Sequence, residues 1–542
     1  MQQNLFGDIE PAGITIDEAA DKINVSSATI RNWLKTGYLK QIKKGIVEVD
    51  SLQQFTEEVA GKDKLVKRAN KLMKDEHDHQ ALSELVRNKL AEDDWVKIGQ
   101  QYEGSLSNSY RNKEGIYYTP TDIIDDMLTD IKPNAQSTFL DPCCGSGNFI
   151  LQAVKAGIKP ENVYGFDIDP NAVEITRKRI LAETGFDAKN NILQTDFLES
   201  ALKPADNQRY DFIFTNPPWG KKLKKKEKER FAGLYKAGRS TDTTSLFCFA
   251  AMGLLKPDGY LGFLVQDALF NISVFQATRT NILRHRLIRI TDYGKPFKGL
   301  LTKACAFIIQ KNKEKSGKVI CSDTQFVHGR KQNTFQQNPK SILNFWTKEE
   351  ENQVINHLYR LPHTTLTGKA KWGLGIVTGN NAKFCQPLSA PHHVPVFKGS
   401  DITEQGLKSP SNYIPDDFSK YQQVAPLALY NSPQKLIYKF ISSKLVFFCD
   451  TEQRYILNSA NFVIPDAALD ISCQQLADML SSKLMNWLFS ALFNTHKVLR
   501  GDLEMLPLHT DYFKENSTFS EESYLKYLQL TTDKNGAYRV KK

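Results

Sequence analysis

Thr138-Phe139-Leu140-Asp141-Pro142-Cys143-Cys144-Gly145-Ser146-Gly147-Asn148-Phe149 is the stretch whose reading decides the fold. An apolar run ends on an acid, a turn with two glycines follows, and a helical pattern opens. That is how an open α/β sheet builds a ligand site at its carboxyl edge. The glycines let backbone approach a ligand closely, and the helix N-terminus adds a favourable dipole. The spacing is not that of a dinucleotide site. The third glycine of G-x-G-x-x-G would fall where Ile150 stands, so the loop suits a ligand without a pyrophosphate.

Downstream, Val163-Tyr164-Gly165-Phe166-Asp167-Ile168-Asp169-Pro170 reads as a second strand ending in acid. A carboxylate there can accept both hydroxyls of a ribose. A third strand ends at Gln194-Thr195-Asp196-Phe197. Asp196 can accept from an exocyclic adenine amine, and Phe197 can lie against the purine face. Then comes Asp211-Phe212-Ile213-Phe214-Thr215-Asn216-Pro217-Pro218-Trp219-Gly220. Two prolines after a buried strand give a rigid turn with fewer amide donors, which leaves carbonyls free to accept. The Asn216 oxygen and the Pro217 carbonyl can hold both protons of an amino group, with Trp219 stacked on the attached ring. Any one of these pieces alone is a polar strand end or a turn. Four in this order are not.

The whole chain has 542 residues, a net charge of +10, 41% hydrophobic and 24% charged residues. This length calls for several domains, and the composition is that of folded protein. No apolar run reaches the ~20 residues of a membrane span, and the start lacks the basic-then-apolar pattern of a signal peptide. Eight cysteines without a C-x-x-C pair indicate neither a disulfide scaffold nor a zinc ribbon, and a reducing, cytoplasmic setting is expected. No metal is expected. His77-Asp78-His79 lacks a further ligand at helical spacing and reads as a solvated face.

Residues 14–50 read as a small module of two helices and a hairpin. Thr15-x-x-Glu18 is a capping box. Ala19, Ala20 and Ile23 share one face, and Ile30, Trp33 and Leu34 another. The solvent side of the second helix carries Ser27, Arg31, Asn32 and Lys35, side-chain types that reach phosphates and base edges. Ile42–Val47 reads as a wing. The division expected is 1–60 for this module, 61–112 for a charged helical connector, 113–345 for the α/β unit and 346–542 for an α+β domain. Residues 221–230 hold seven Lys/Arg against two Glu. Directly after Trp219, their Lys221, Lys222, Lys224 and Lys225 read as phosphate contacts.

Taken together, Asp141-Pro-x-x-Gly-x-Gly-x-Phe149 with Asn216-Pro-Pro-Trp219 resembles the S-adenosylmethionine-dependent N6-adenine DNA methyltransferases of restriction–modification systems. The order is the gamma order typified by the Taq enzyme, over roughly residues 111–510. The N-terminal module resembles a winged helix-turn-helix of the MerR/excisionase type. The resemblance implies a Rossmann-like methyltransferase sheet with helices on both faces and a C-terminal α+β target-recognition domain. Gly115–Pro120, with Tyr117 and Thr119, is similar to the family's segment at the methionine end of the cofactor. Tyr293–Lys298 is similar to the segment supplying a second aromatic, Phe297, to a flipped base. Trp372–Phe384, Val396–Ile402 and Thr495–Leu506 are similar to the Taq-type recognition domain. The family's usual tyrosine is Trp219 here, which keeps the stacking surface.

The expected cofactor is S-adenosylmethionine, held by Tyr117, Thr119, Asp141, Pro142, Gly145, Gly147, Asp167, Ile168, Asp196 and Phe197. Asn216, Pro217, Pro218 and Trp219 form the expected catalytic tetrapeptide. Cys143 lies in the cofactor loop and is read as a loop filler, not a nucleophile. The expected partners are double-stranded DNA and a separately encoded endonuclease. Two alternatives stay open: N4-cytosine methylation, which uses the same amine chemistry, and a non-catalytic DNA-binding regulator that keeps the fold.

Overall fold

The computed structural model describes residues 13–22, 27–35, 39–43, 45–53, 94–105, 117–204, 208–220, 223–297, 300, 302–312 and 317–541. The expectations placed on His77–His79, Lys221 and Lys222, most of the 61–112 connector and the side chains of Asn32 and Lys35 lie outside the described residues.

The N-terminal module is built as its pattern requires. Strand β1 (Gly13–Thr15) leads into helix α1 (Ile16–Lys22), followed by α2 (Ser27–Lys35), β2 (Gln41–Lys43) and β3 (Ile46–Glu48). The capping box closes, with the Glu18 amide donating to Thr15 Oγ1 at 3.2 Å and the Thr15 amide to Glu18 Oε2 at 2.8 Å. Ala19, Ala20, Ile30, Trp33, Leu39, Val47 and Leu52 make its small core. The 42–47 hairpin gains a third strand, because β1 pairs with β3. Three residues of Gly-Ile-Thr carry too little alternation to announce that strand. Arg31 is exposed.

Helix α3 (Trp95–Ser105) falls in the stretch assigned to the connector, yet it packs on the α/β unit. Trp95, Ile98 and Tyr102 are buried against Ile175. The apolar residues at i, i+3 and i+7 are the signal that a charge-rich reading hides.

The α/β unit follows as α4 (Thr121–Leu128), β4 (Phe139–Asp141), α5 (Asn148–Lys155), β5 (Val163–Asp167), α6 (Pro170–Thr184), β6 (Ile192–Gln194), α7 (Phe197–Ser200) and β7 (Tyr210–Thr215). Next come α8 (Lys225–Leu234), α9 (Thr243–Leu254), β8 (Leu255–Gln266), α10 (Ala268–Asn271), α11 (Gln276–Ile282), β9 (Arg286–Asp292), β10 (Ala304–Gln310), β11 (Lys318–Ser322) and β12 (Val327–Lys331). The sheet order is β12-β11-β9-β10-β8-β7-β4-β5-β6. Strands β6, β5, β4, β7 and β8 are mutually parallel. The sheet is mixed, not wholly parallel as the βα alternation implied, because β10 inserts antiparallel between β8 and β9. A strand buried on both faces is apolar throughout whichever way it runs, so its direction is not legible in composition.

Successive side chains point to opposite faces. Phe212 and Phe214 of β7 enter the core under α4 and α5, while Ile213 enters the core under α9. Helices therefore cover both faces. The chain leaves β4 toward β5 on one side and β7 on the other, so a crevice opens beyond the carboxyl end of β4, where such sheets bind ligands.

The C-terminal region opens with α12 (Glu349–Arg360). It holds a four-stranded sheet of β13 (Ala370–Leu374), β18 (Lys435–Lys439), β19 (Phe447–Asp450) and β21 (Ala460–Pro465). A smaller sheet joins β14 (His393–Phe397), β17 (Asn412–Pro415) and β20 (Tyr455–Ile456), and a short hairpin joins β15 (Ile402–Thr403) to β16 (Gly406–Leu407). Helices α13 (Cys473–Ser481) and α14 (Lys483–Phe493) pack on the larger sheet. Asn344 and Trp346 both donate to the Ala491 carbonyl, at 3.1 and 3.0 Å. Asn271, just beyond β8, donates to Phe493 O. These bonds seat the C-terminal region at the carboxyl edge of the sheet. No helix among the described residues is long and apolar enough to cross a membrane.

Candidate active site

The crevice is a cavity between the loop after β4, the ends of β5 and β6, and the turn after β7. Gly145 has φ +52°, and a Cβ there would lie 3.0 Å from the Tyr118 ring. Only glycine lets the loop pass beneath that ring while presenting backbone to the cavity. Gly147 plays a different part from the one expected. It caps α5 with φ +90°, and its Cα faces Thr176, where a Cβ would meet Cγ2 and Oγ1 at 2.9 Å. It lies against α6 and does not line the cavity.

The loop is buttressed from behind by residues that the motif did not reveal. Thr176 donates to Gly145 O at 2.8 Å, and Arg179 donates to Ser146 O at 2.5 Å and Asn148 Oδ1 at 2.9 Å. Ser146 Oγ donates to Glu103, and Tyr102 OH to Asp169, so α3 clasps the loop from outside. Burial lowers the Arg179 pKa from its ordinary value, with Glu103 opposing that shift. Thr176 and Arg179 stand at i and i+3 on one face of α6, a spacing visible only once α6 has been placed.

Two carboxylates meet at the floor. Asp141 accepts from Thr215 Oγ1 at 2.6 Å and from the Cys143 amide at 3.0 Å. Burial pushes its pKa up to about 7. Asp167 accepts from the Gly145 amide at 2.9 Å and, through its other oxygen, from the Asp169 amide at 2.9 Å. Burial pushes it up to about 6, with those amides opposing the rise. Cys143 and Cys144 both line the cavity, and Cys144 is buried against Gly165. Burial drives the Cys144 thiol well above its usual range, so it is a filler rather than a nucleophile.

The far end is apolar and flat. Phe197 is buried in the wall, stacked with Phe166 and tilted against Phe247, at centroid separations of 6.2 and 5.1 Å. Ile168, 48% exposed, lies on the same cavity. Asp196 lines it too, with Oδ1 accepting the Leu198 and Glu199 amides as the cap of α7. Arg230 of α8 forms a two-pronged pair with Glu199 at 2.5 and 2.8 Å. At least this cation of the basic run is thus engaged beside the cavity, while Lys224 and Lys225 stay exposed, Lys225 lying 3.8 Å from Glu229.

Asn216 and Pro218 close the opposite end, with Tyr117, Tyr118, Thr119 and Pro142. The Asn216 side-chain amide donates through Nδ2 to Tyr117 O at 2.6 Å. That bond turns Oδ1 the other way, and Oδ1 is buried without a hydrogen-bond partner. A buried acceptor left unpaired costs about 1–3 kcal/mol, and among the described residues with such an amide oxygen Asn216 lines the cavity. Pro217 is buried and is not among the lining residues. Trp219 and Phe297 are 3% and 8% exposed. They stand against each other and do not face open space, with Trp219 Nε1 donating to Leu264 O at 3.2 Å.

A glycine cradle, two acids, an apolar slot and an unpaired amide oxygen at one edge of such a sheet define a methyltransferase of the S-adenosylmethionine-dependent class. The cavity's residues fit that cofactor, since a backbone floor, carboxylate acceptors and a flat apolar slot match its amino acid, ribose and purine.

Comparison with known proteins narrows the class. Residues 92–361 match the family described as N-6 DNA Methylase, and residues 394–508 match the TaqI-like C-terminal specificity domain. The chain is 46% identical over 409 residues to the type II methyltransferase M.VspI of Vibrio sp. (strain 343), covering 75% of this chain and 100% of that protein. It is 30% identical over 131 residues to the type II methyltransferase M.CvrRI of Paramecium bursaria Chlorella virus XZ-6E, covering 24% of this chain and 30% of that one. The cryo-EM structure of a DrdV–DNA complex matches with a TM-score of 0.53 at 12% identity, over 92% of this chain and 66% of that chain, a likeness of fold. The chain belongs to the N-6 DNA methylase family. It is a DNA methyltransferase of a restriction–modification system, and its cofactor is S-adenosylmethionine.

Proposed function

We propose that this protein methylates the N6 amine of an adenine swung out of duplex DNA. The observation that carries the reading is the buried, unpartnered Asn216 Oδ1, which needs an N–H donor at the end of the cofactor cavity. The N6 lone pair is delocalised into the purine and is a poor nucleophile. Asn216 Oδ1 and the Pro217 carbonyl accept its two N–H bonds, which localises charge on nitrogen and favours pyramidalisation as the new bond forms. S-adenosylmethionine supplies an electrophilic methyl group on a sulfonium. The protein's remaining task is orientation, and a near-attack arrangement alone is worth several kcal/mol. No covalent enzyme intermediate is required. The proton released on transfer leaves to water, since neither carbonyl is basic enough to keep it.

In this reading Asp167 takes the ribose hydroxyls, Asp196 the adenine amine of the cofactor, and Ile168 and Phe197 its two faces. Tyr117, Thr119, Asp141, Pro142 and Gly145 surround its amino acid end. Trp219 and Phe297 stack on the target base, which helps offset an unpairing cost of a few kcal/mol. Lys224 and Lys225, and the exposed Arg31 of α2, are assigned to the DNA backbone. The two-helix module with its three-stranded sheet serves as a further DNA contact. M.VspI, itself a type II methyltransferase, is matched along its whole length, which supports a modification enzyme with a separately encoded endonuclease.

The test is expression in a host free of DNA methylation, followed by sequencing that separates N6-methyladenine from N4-methylcytosine. N6-methyladenine at one short motif is expected. N4-methylcytosine would overturn the base assignment, and unmodified DNA the reading itself.

The ribose role makes a pH prediction. The Asp167 pKa is raised to about 6 by burial, and hydroxyl donors favour the ionised form, so binding lowers that pKa and releases a proton. Cofactor affinity is therefore expected to fall as pH drops below 6, by up to about tenfold per unit from this group, on top of the step from Asp141, whose pKa burial raises to about 7. Calorimetry from pH 5 to 8 measures this, and Asp167→Asn should remove the step near pH 6. An unchanged profile in that variant would remove Asp167 from the ribose.

A further inference from the structure

The three aromatic rings around Asn216 touch one another. Tyr117 lies 5.8 Å from Trp219 and 5.4 Å from Phe297 between centroids, and Trp219 meets Phe297 edge-to-face at 5.3 Å. A base held between two walls needs each face roughly 3.5 Å from a neighbour, so the walls must stand about 7 Å apart. No such gap exists here. The places a planar base would take beside Trp219 and Phe297 are filled by their own mutual contact and by the Tyr117 ring. The main chain of the same residue holds Asn216, because Tyr117 O takes the Nδ2 donor and leaves Oδ1 as the free acceptor.

Resting on the reading of a flipped-out target base, we propose that Tyr117 is a positioning residue that keeps the base's place. In the DNA-free protein its ring packs on both Trp219 and Phe297, covering the aromatic surface a base would stack on, while its carbonyl presets the Asn216 amide. An incoming base must displace the ring and inherits its aromatic contacts. The exchange swaps one set of stacking contacts for another, so the protein's aromatic walls stay covered before and after base entry. It also opposes entry by any group that cannot replace those contacts.

The proposal fixes a sign. A residue that only walls the base pocket would favour flipping, and its removal would reduce it. A plug opposes flipping, and its removal should increase it. The experiment uses the full chain and a duplex carrying 2-aminopurine at the target position found by sequencing, whose fluorescence rises when the base leaves the stack. Tyr117→Ala removes the ring but leaves the main-chain carbonyl on Asn216. The ratio of flipped to stacked base is expected to rise about three- to tenfold. Tyr117→Phe, which retains the ring, should return the signal to the wild-type level. Should Tyr117→Ala fail to fold, Tyr117→Val, which also removes most of the ring volume, is read the same way. A lowered or unchanged ratio overturns the proposal. Wild-type protein that leaves DNA unmethylated would instead overturn the underlying reading.

Discussion

Asn216→Ala is expected to lose methyl transfer by roughly 10²–10³-fold or more while cofactor and DNA affinities stay within a few-fold of wild type. The substitution removes the unpaired Oδ1 and the Nδ2 donor that lies 2.6 Å from Tyr117 O. Neither atom belongs to the carboxylate floor or to the apolar slot, so the cofactor contacts survive. The loss should appear in kcat, because the acceptor matters most as the amine pyramidalises, whereas uniform binding would appear in KM. Asn216→Asp keeps an acceptor but sets a carboxylate against the Tyr117 carbonyl, and its activity should fall between the two. Incorporation of labelled methyl into DNA, with calorimetric cofactor binding alongside, separates these cases. An alanine variant that turns over at the wild-type rate would show that the amine is held elsewhere.

What the sequence makes legible follows the range of the forces involved. The glycine loop, the acids at strand ends and the Asn-Pro-Pro turn are local, since each is set by backbone conformation over four to ten residues. All of them fall around one cavity. Gly147, expected against the ligand, faces Thr176 instead. Its φ of +90° was foreseeable, whereas the Thr176 side chain against it depends on how α6 crosses the loop. The same holds for Arg179 and Glu103, which both bond to Ser146 from distant segments and carry no mark in either. The antiparallel insertion of β10 was invisible because Ala304–Gln310 is buried along its whole length. Helix α3 was hidden by its charged surroundings, although Trp95, Ile98 and Tyr102 do stand at helical spacing. The burial of Trp219 and Phe297 could not be read at all. A sequence shows which rings are available, not whether they pack on each other or wait for a ligand.

The two floor acids illustrate how burial and function pull against one another. Burial raises the pKa of both Asp141 and Asp167, the Asp167 charge adds to the rise at Asp141, and the Asp169 charge adds to that at Asp167. Two carboxylates in a low-dielectric floor are costly to ionise together unless donors surround them. Backbone amides of Cys143, Gly145 and Asp169 and the Thr215 hydroxyl supply part of that set. A sulfonium cofactor with ribose hydroxyls and an ammonium group supplies further donors and positive charge. Cofactor binding is therefore expected to stabilise the α/β unit at neutral pH, by mass action, and these donors contribute to the affinity that sets its size.

Trp219→Ala is expected to destabilise the protein by about 3–5 kcal/mol, the range for emptying a buried tryptophan site. Trp219 is 3% exposed, packs on Tyr117 and Phe297, and donates from Nε1 to the Leu264 carbonyl at 3.2 Å. Alanine leaves both a cavity and an unpaired carbonyl on β8. Trp219→Phe keeps a ring and most of the apolar volume but still strands that carbonyl, so about 1–3 kcal/mol should be lost. The effects on catalysis should diverge from the effects on stability. Phenylalanine still offers the target base an aromatic face, and methyl transfer should remain within about tenfold of wild type. Alanine offers none, and should lose transfer even at temperatures where the variant is fully folded. Denaturant unfolding gives the first comparison, and single-turnover methylation below the unfolding midpoint gives the second. If alanine lowered stability yet methylated as fast as phenylalanine, Trp219 would be a wall of the core alone, and the target base would have to stack elsewhere.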